Sequence, residues 1–405
     1  MKLRDYESIV GRDVIDELCL IAEKLKGKKI QNINSTAVGG GVAEILNRLV
    51  PFLQELGVDA SWDVIKGGDQ FFKITKKIHN ALHGKEETLT PEECEHFLEI
   101  NERNKNVLRP EADVFFIHDP QPAALVRYKK ELGKRWVWRC HIDISVANQE
   151  VWRFIRSFVE NYDGSIFSAP SFSFPLPIRQ FLISPSIDPL SEKNRDLSEE
   201  EIESVLNKLN IYRDKPILTQ ISRFDFLKDP VGGIEVYQLV KKYVDCQLIL
   251  AGGTADDDPE STEVLLKVRE KAADDPDIHI LLLPPGSDIE INALQRASDV
   301  VLQKSIREGF GLTVAEALWK AKPVVASAVG GIPLQITHKH GGLLCRSIEG
   351  AAHFVKQLLQ NPDYAKRLGE NGREHVRQNF LLTRHLKEYM LLFLALEHEE
   401  DIVYL

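Results

Sequence analysis

The sequence predicts an α/β fold made of two successive Rossmann-like, doubly wound domains, and three observations carry that prediction. Short β-branched runs alternate with amphipathic stretches, a pattern typical of parallel βαβ units. The pattern stops at a polar stretch over residues 187–201 and then starts again. The 405 residues suffice for two domains of ordinary size. We therefore expect an N-terminal domain over 1–188, a C-terminal domain over 189–380, and a helix within 381–405 that could pack back on the first domain.

The first domain is predicted from five buried strands and the helices between them. The strands are expected at 28–35, 60–65, 113–118, 135–140 and 164–168. Apolar residues at helical spacing from Val42 to Leu56 predict the first helix, and a charged stretch at 91–104 predicts another. The glycines at 39–41 open the first helix, so their N–H groups could meet a phosphate or a sugar. Tight turns use the same residues, and no G-x-G-x-x-G pattern occurs there, so NAD binding is disfavoured.

The second domain is predicted from a repeat of the same alternation. Its strands are expected at 217–222, 247–252, 278–283, 300–304 and 323–328. Ligands of doubly wound sheets bind outside the carboxyl ends of the strands. Two such domains would therefore face each other across a deep cleft that holds the ligand.

Composition limits the partners and the compartment. Acidic residues number 61 and basic residues 51, and this net charge of −10 repels nucleic acid and anionic lipid. The N-terminus carries acidic residues where a secretory signal would have its apolar core, and the longest apolar run is too short to span a membrane. The five cysteines lie far apart, which suggests reduced thiols. We expect a cytoplasmic protein with small-molecule substrates and no nucleic-acid or membrane partner; a homo-oligomer is compatible with the sequence.

The stretch 305–333 is the richest in chemistry. The loop Glu308-Gly309-Phe310-Gly311 precedes a helix expected to begin near Thr313, and such a helix start binds anions through its N–H groups. Glu308 could accept hydrogen bonds from sugar hydroxyls, and Glu316 could reach a second polyol such as ribose. Thr313 and Glu316 also fit a capping box, in which Glu316 only caps its helix. Both interpretations of Glu316 remain open.

Glu308, seven intervening residues, Glu316 and the later turn Gly330-Gly331-Ile332-Pro333 together resemble the signature of retaining glycosyltransferases of family 4, which have the two-Rossmann GT-B fold. Further family marks follow in chain order. They are the glycine turn at 39–41, His118, His141, Arg223 and Lys228. The stretches 68–84, 138–145 and 184–194 resemble, more narrowly, archaeal-type trehalose synthases. One residue departs from the family pattern, since Leu334 stands where an acidic residue usually follows the turn.

The resemblance implies a reaction. Glucose would pass from ADP-, UDP- or GDP-glucose, bound on the C-terminal side, to free glucose bound on the N-terminal side. The product would be trehalose with its α,α-1,1 linkage, and the nucleoside diphosphate would be released. The anomeric configuration would be retained without a carboxylate nucleophile.

The resemblance also implies roles for single residues. Glu308 and His141 would hold the glucosyl unit, Glu316 the ribose, and Arg223 and Lys228 the diphosphate. The remaining donor contacts would come from Gly40, Gly41, Gly309, Phe310, Gly311, Leu312 and Thr313. Backbone near Leu283 and Pro284 would recognise the base.

Three aspartate sites have competing explanations. Asp119 and Asp143 follow predicted strands and could orient the acceptor, although Asp at a strand end is also a common helix cap. Asp256-Asp257-Asp258 could bind Mg²⁺ with a diphosphate, but its setting before a helix favours a polar capping loop. We expect no metal site and no obligatory cofactor, with Mg²⁺ at most stimulating the reaction.

Three alternatives stay open at this level. Another glycosyltransferase of the same fold could use a different acceptor, and a nucleotide-sugar epimerase could use the same donor. A non-enzymatic two-domain sugar-binding protein would bind without turnover. The acceptor requirement separates the first two, and turnover itself separates the third.

Overall fold

The structure, a computed structural model, describes residues 2–37, 40–253 and 259–397, and its contacts divide the chain into two units. Unit 1 comprises the residues up to Pro185 and those from Leu382 onward, and unit 2 spans Ser186–Leu381. Each unit contains one six-stranded parallel sheet. The predicted α/β class with two successive doubly wound sheets is confirmed. Gly39 and Asp256-Asp257-Asp258 lie outside the described residues.

The sheet of unit 1 has the strand order β2-β1-β3-β4-β5-β6. Its strands are β1 (Lys29–Asn34), β2 (Asp59–Val64), β3 (Val114–His118), β4 (Arg135–Arg139), β5 (Gly164–Phe167) and β6 (Arg179–Leu182). The order reverses between β1 and β3, which makes this pair the topological switch point. Every residue of β3 is buried, as expected of a strand covered by helices on both faces.

The helices of unit 1 include the two whose positions were predicted, at 42–56 and at 91–104. In chain order, the helices are α1 (Glu7–Val10), α2 (Arg12–Glu23), α3 (Gly40–Glu55), α4 (Asp69–Leu82), α5 (Pro91–Arg103), α6 (Lys129–Leu132) and α7 (Gln149–Val159). Thr90 caps α5 through a capping box with Glu93, which explains why this charged helix begins where it does.

The sheet of unit 2 has the order β12-β11-β10-β7-β8-β9, with its switch point between β7 and β10. Its strands are β7 (Ile217–Ile221), β8 (Gln247–Gly252), β9 (Ile278–Leu282), β10 (Val300–Gln303), β11 (Val324–Ser327) and β12 (Leu343–Cys345). Its helices are α8 (Glu199–Lys208), α9 (Pro230–Lys241), α10 (Pro259–Ala272), α11 (Asp288–Ala297), α12 (Leu312–Trp319), α13 (Ile332–Gln335), α14 (Ile348–Gln360) and α15 (Pro362–Asn379).

The last helix, α16 (Leu382–Glu397), returns to unit 1 and supplies part of its core. Tyr389 and Phe393 meet the ring of Phe116 edge-on at 5.0 and 5.7 Å between centroids. The Arg384 guanidinium donates to the carbonyls of Ser184 and Pro185, both at 2.9 Å. No helix among the described residues is both long enough and apolar enough to span a membrane.

Candidate functional site

In unit 2 the candidate residues lie at the carboxyl edge of the sheet, at its switch point. The loop after β7 and the loop after β10 are joined directly, because the N–H of Ile306 donates to the carbonyl of Leu227 at 2.8 Å. The Gln220 side chain, which extends from β7, also donates to the carbonyl of Lys228 at 2.9 Å. These bonds hold the two loops in a fixed register, and ligands of such sheets bind at this edge.

Lys228 and Glu308, which the sequence places 80 residues apart, form an ion pair across these loops. Lys228 Nζ lies 2.6 Å from Glu308 Oε1, and Glu308 is only 8% exposed. The other carboxylate oxygen, Oε2, accepts from Ser305 Oγ at 3.0 Å and lies 3.4 Å from Gln303 Nε2. Because both oxygens have partners, the carboxylate is fixed in one orientation.

The glycine loop leads into α12 in the way an anion site requires. Gly311 has a φ of 82°, a left-handed conformation that glycine adopts without strain, and the helix begins at Leu312. The first-turn N–H groups of a helix have no intrahelical partner and attract negative charge. Gly311 is the N-cap and has no side-chain cap, so the alternative in which Thr313 and Glu316 form a capping box is wrong. Thr313 Oγ1 instead donates to Gln303 Oε1 at 3.2 Å.

The Gly330-Gly331 turn supports the glycine loop from behind. Gly330 has a φ of 55°, and a Cβ there would lie 1.7 Å from the carbonyl oxygen of Glu308. The N–H of Gly331 donates to the carbonyl of Gly309 at 2.7 Å. The turn therefore fixes the backbone on which Glu308 stands, and a glycine is required at 330. At Leu334, where the family usually has an acidic residue, the side chain is apolar and only the backbone makes a polar contact. Its carbonyl accepts a hydrogen bond from His375 Nε2 at 2.9 Å.

A buried charged cluster surrounds Glu316, which is 4% exposed. Lys193 Nζ lies 3.9 Å from Glu316 Oε1, and Lys320 Nζ donates to the Glu316 carbonyl at 3.1 Å and to Asn194 Oδ1 at 2.9 Å. Burial lowers the pKa of Lys320 from 10.5 to about 7, against the opposing effect of Glu316. Lys193, Asn194 and Lys320 were not predicted from the sequence. The spacing of four residues between Glu316 and Lys320 is the one pattern that could have indicated a contact between the two.

Arg223 is placed differently from Lys228. Its side chain is 62% exposed, and its Nη2 lies 3.4 Å from Asp225 Oδ2. The described contacts thus join Lys228 to Glu308 and join Arg223 to its neighbour in the same loop. Leu283 and Pro284 follow β9, and the N–H of Leu283 donates to the carbonyl of Gly252 at 3.0 Å.

In unit 1 the two histidines lie together at the β1/β3 switch point. His118 ends β3, and His141 follows β4 by two residues. His118 Nδ1 is 3.1 Å from His141 Nε2, and the two rings are stacked at 5.4 Å between centroids. Burial and the nearby Arg139 charge lower the pKa of His118 to about 3 and the pKa of His141 well below its usual value. Both imidazoles are therefore neutral at physiological pH.

Asp119 and Asp143 have different surroundings. Asp119 has a φ of 67°, and its Oδ1 accepts the N–H of His141 at 2.8 Å. Burial raises the pKa of Asp119 to about 7. Asp143 Oδ1 accepts the N–H of Ser145 at 3.0 Å, a local turn bond.

Two further predicted features concern α3 and metals. Gly40 and Gly41 are the first two residues of α3, so their backbone forms a helix N-terminus. Within the described ranges, no group of three or more His, Cys, Asp or Glu side chains is arranged to hold a metal ion.

Comparisons with known proteins agree with this arrangement. Residues 32–174 match the family described as "Trehalose synthase, N-terminal domain", and residues 201–375 match "Glycosyl transferases group 1". The chain is 46% identical to a trehalose synthase of Pyrococcus horikoshii over 395 residues, which cover 96% of this chain and 95% of that protein. It is 44% identical to a trehalose synthase of Rubrobacter xylanophilus over 404 residues, covering 97% of each.

A solved structure shares the fold at low sequence identity. A trehalose-6-phosphate synthase superposes with a TM-score of 0.74 at 12% identity, covering 92% of this chain and all of that one. A likeness at this identity shows the fold alone.

Proposed function

The chain belongs to the trehalose synthase family of group 1 glycosyl transferases, and from this premise we propose that it transfers glucose from a nucleoside-diphosphate glucose to free glucose. The product is trehalose, and the nucleoside diphosphate is released. The family membership and the GT-B fold confirm the resemblance found in the sequence. The observation that carries the proposal is the Lys228–Glu308 pair, placed beside the N-terminus of α12 at the switch point of unit 2.

The donor site follows from charge and geometry. A diphosphate is attracted by the ammonium charge of Lys228 and by the partial positive charge of the N–H groups at the start of α12. When the phosphate binds Lys228, Glu308 Oε1 becomes available to accept hydrogen bonds from the sugar hydroxyls. The contacts of Ser305 and Gln303 with Oε2 keep the carboxylate oriented during this exchange. Glu316 serves the ribose in this proposal, and Lys193 Nζ lies 3.9 Å from its carboxylate.

The reaction depends mainly on stabilising the charges that separate in the transition state, and it needs no nucleophile from the protein. The transition state resembles an oxocarbenium ion, while negative charge develops on the leaving phosphate. Lys228, Arg223 and the helix N-terminus stabilise that phosphate. In unit 1 we assign His141 to a glucosyl hydroxyl and Asp119 to the acceptor. The acceptor then attacks on the face from which the diphosphate leaves, the phosphate takes its proton, and the configuration is retained.

We propose that these cationic groups make a metal unnecessary. The reaction should therefore continue in the presence of a chelator, with added Mg²⁺ at most raising its rate. The five free thiols support a cytoplasmic setting for the reaction.

The test compares donors for the same product. The purified chain is incubated with ADP-, UDP- or GDP-glucose, with and without glucose, and separately with maltose alone. We expect trehalose and free nucleoside diphosphate only where a nucleotide sugar and glucose are both present. If trehalose forms from maltose alone, the proposal is wrong and the reaction is an intramolecular rearrangement of maltose. If the nucleotide is released without trehalose, the donor is a nucleotide sugar but the acceptor is not glucose.

A further inference from the structure

Three polar side chains form a hydrogen-bonded row across the switch point of unit 1. Asn32 is on β1, His118 ends β3 and His141 follows β4, and these three strands are consecutive in the sheet. Asn32 Oδ1 lies 3.2 Å from His118 Nε2, and His118 Nδ1 lies 3.1 Å from His141 Nε2. Asn32 is 2% exposed and His118 is 1% exposed, so water does not compete for the bond between them, whereas His141 is only partly buried.

Each bond in the row has one allowed direction. The Asn32 amide nitrogen donates to the carbonyl of Ser61 at 3.1 Å, so the amide oxygen faces His118. His118 Nε2 must then carry the proton, because an amide oxygen only accepts. A neutral imidazole protonated on Nε2 has an unprotonated Nδ1, which can only accept. His141 Nε2 must therefore donate to it.

We propose that Asn32 and His118 are positioning residues that hold His141 in the tautomer protonated on Nε2, so that His141 Nδ1 accepts a hydrogen bond from a hydroxyl of the transferred glucose. The sugar contact rests on the proposed function, whereas the tautomer does not. Burial and the Arg139 charge keep His118 neutral, as the direction of the bonds requires. The bond from the backbone N–H of His141 to Asp119 Oδ1 at 2.8 Å fixes the backbone of His141, and the bond to His118 fixes its ring.

The tautomer of His141 protonated on Nε2 suits the charge that develops during the reaction. Positive charge develops on the sugar ring in the transition state. An unprotonated ring nitrogen is favourable beside that charge, whereas an N–H group or an imidazolium would oppose it. Fixing the proton on the far nitrogen before the substrate binds avoids a rearrangement during the reaction.

Nitrogen NMR of the full chain labelled with ¹⁵N-histidine tests the tautomer without substrate. The chain has 12 histidines, and the variants His118→Gln and His141→Gln assign the two signal sets. We expect both residues to show a protonated Nε2 and an unprotonated Nδ1 at neutral pH. A His141 protonated on Nδ1, or charged, overturns the proposal. This measurement stands whether or not the chain transfers glucose, so the two proposals fail separately.

Two variants of similar size test the role of Asn32. Asn32→Leu removes the acceptor, so His118 and His141 should show mixed tautomers and the transfer rate should fall on the order of 10- to 100-fold. Asn32→Asp keeps an acceptor, and at alkaline pH it should restore both the single tautomer and most of the rate. A single unchanged tautomer and an unchanged rate in Asn32→Leu overturn the positioning role, as does an Asn32→Asp variant that behaves like Asn32→Leu.

The control is Asn34→Leu, on the same strand. Asn34 is 3% exposed, and its side chain bonds with Thr36 and Trp62 instead of the histidines. The His141 signals should stay those of the unaltered chain. If Asn34→Leu mixes the tautomers as Asn32→Leu does, the row from Asn32 is not what fixes them.

Discussion

Three side chains contact the Glu308 carboxylate: Ser305 from its own loop, Lys228 from the loop after β7, and Gln303 from the end of β10. Lys228 also balances its charge. A group with this degree of fixation suits a role in which one oxygen must meet a sugar hydroxyl at a set position. Glu308 could be predicted from the glycine loop that follows it. Ser305 and Gln303 could not, because polar residues at a strand end leave no pattern of their own.

Glu308→Gln should lower kcat for trehalose formation by about 100-fold, because the neutral amide keeps the size of the side chain but loses the charge near the developing oxocarbenium ion. Steady-state kinetics with saturating donor measure this. The control Glu370→Gln alters an exposed carboxylate on α15 and should keep the normal rate. A Glu308→Gln variant with normal kcat and normal folding would remove Glu308 from the reaction.

Lys228→Met should weaken binding of the free nucleoside diphosphate by about 10- to 100-fold, since a charge-assisted hydrogen bond contributes roughly 1.5–3 kcal/mol. Isothermal titration calorimetry measures the Kd. Lys208→Met is the matched control, because Lys208 is 72% exposed and its partner Glu290 lies outside the glycine loop. Equal affinities in the two variants would show that Lys228 does not bind the phosphate.

Lys320 should make stability depend on pH. Its pKa is about 7 in the folded chain and near 10.5 when exposed, so between these values the folded state binds fewer protons than the unfolded state. The free energy of unfolding should therefore rise with pH across this window, by at most about 1.4 kcal/mol per pH unit from this group. Below pH 7 the full cost of the buried charge is present.

Urea unfolding at several pH values from 6 to 10, in the unaltered chain and in Lys320→Met, isolates that contribution. The variant should show a shallower rise because it has no proton to lose there. Its stability at a single pH also reflects the lost bonds to Asn194 and Glu316, so the slope is the diagnostic quantity. Identical slopes would mean that Lys320 is not buried as described.

At the scale of elements, ten of the twelve strands in the described part of the chain were predicted from the sequence, and the two that were not, β6 and β12, are edge strands. β3 and β8 are buried throughout, so continuous apolar runs identify them. β6 has mostly exposed residues and β12 has only three residues, so neither shows a strand pattern. The start of α12 was predicted near Thr313 and lies at Leu312, because the left-handed Gly311 ends the preceding loop.

The Gly330 turn can be tested against a glycine of similar backbone conformation. Gly133→Ala, at a φ of 61° with open space around the new Cβ, should cost about 1–2 kcal/mol of stability and leave kinetics unchanged. Gly330→Ala, at a φ of 55°, also overlaps the Glu308 carbonyl, so it should cost about 1–3 kcal/mol more and lower kcat as well. Denaturant unfolding and kinetics of both variants give the comparison. Similar losses at both positions would mean that the turn does not support the Glu308 loop.

At the scale of the whole molecule, the two-sheet architecture was predictable because the βαβ alternation occurs twice in the chain. The passage between units lies at Pro185–Ser186, three residues before the expected boundary, and the chain returns to unit 1 at Leu382. Side-chain rows such as Asn32–His118–His141 could not be predicted. They join strands that are far apart in sequence, and only the strand order β1-β3-β4 brings them together.

The most direct test of the whole account follows the fate of the transferred carbon. Nucleoside-diphosphate glucose labelled with ¹³C at C1 is supplied with unlabelled glucose, and NMR follows the labelled anomeric signal. We predict trehalose with one labelled α-anomeric carbon per molecule, together with free nucleoside diphosphate, and no such product without glucose. Label appearing only in free glucose, or in a β-linked product, would contradict retaining transfer to glucose.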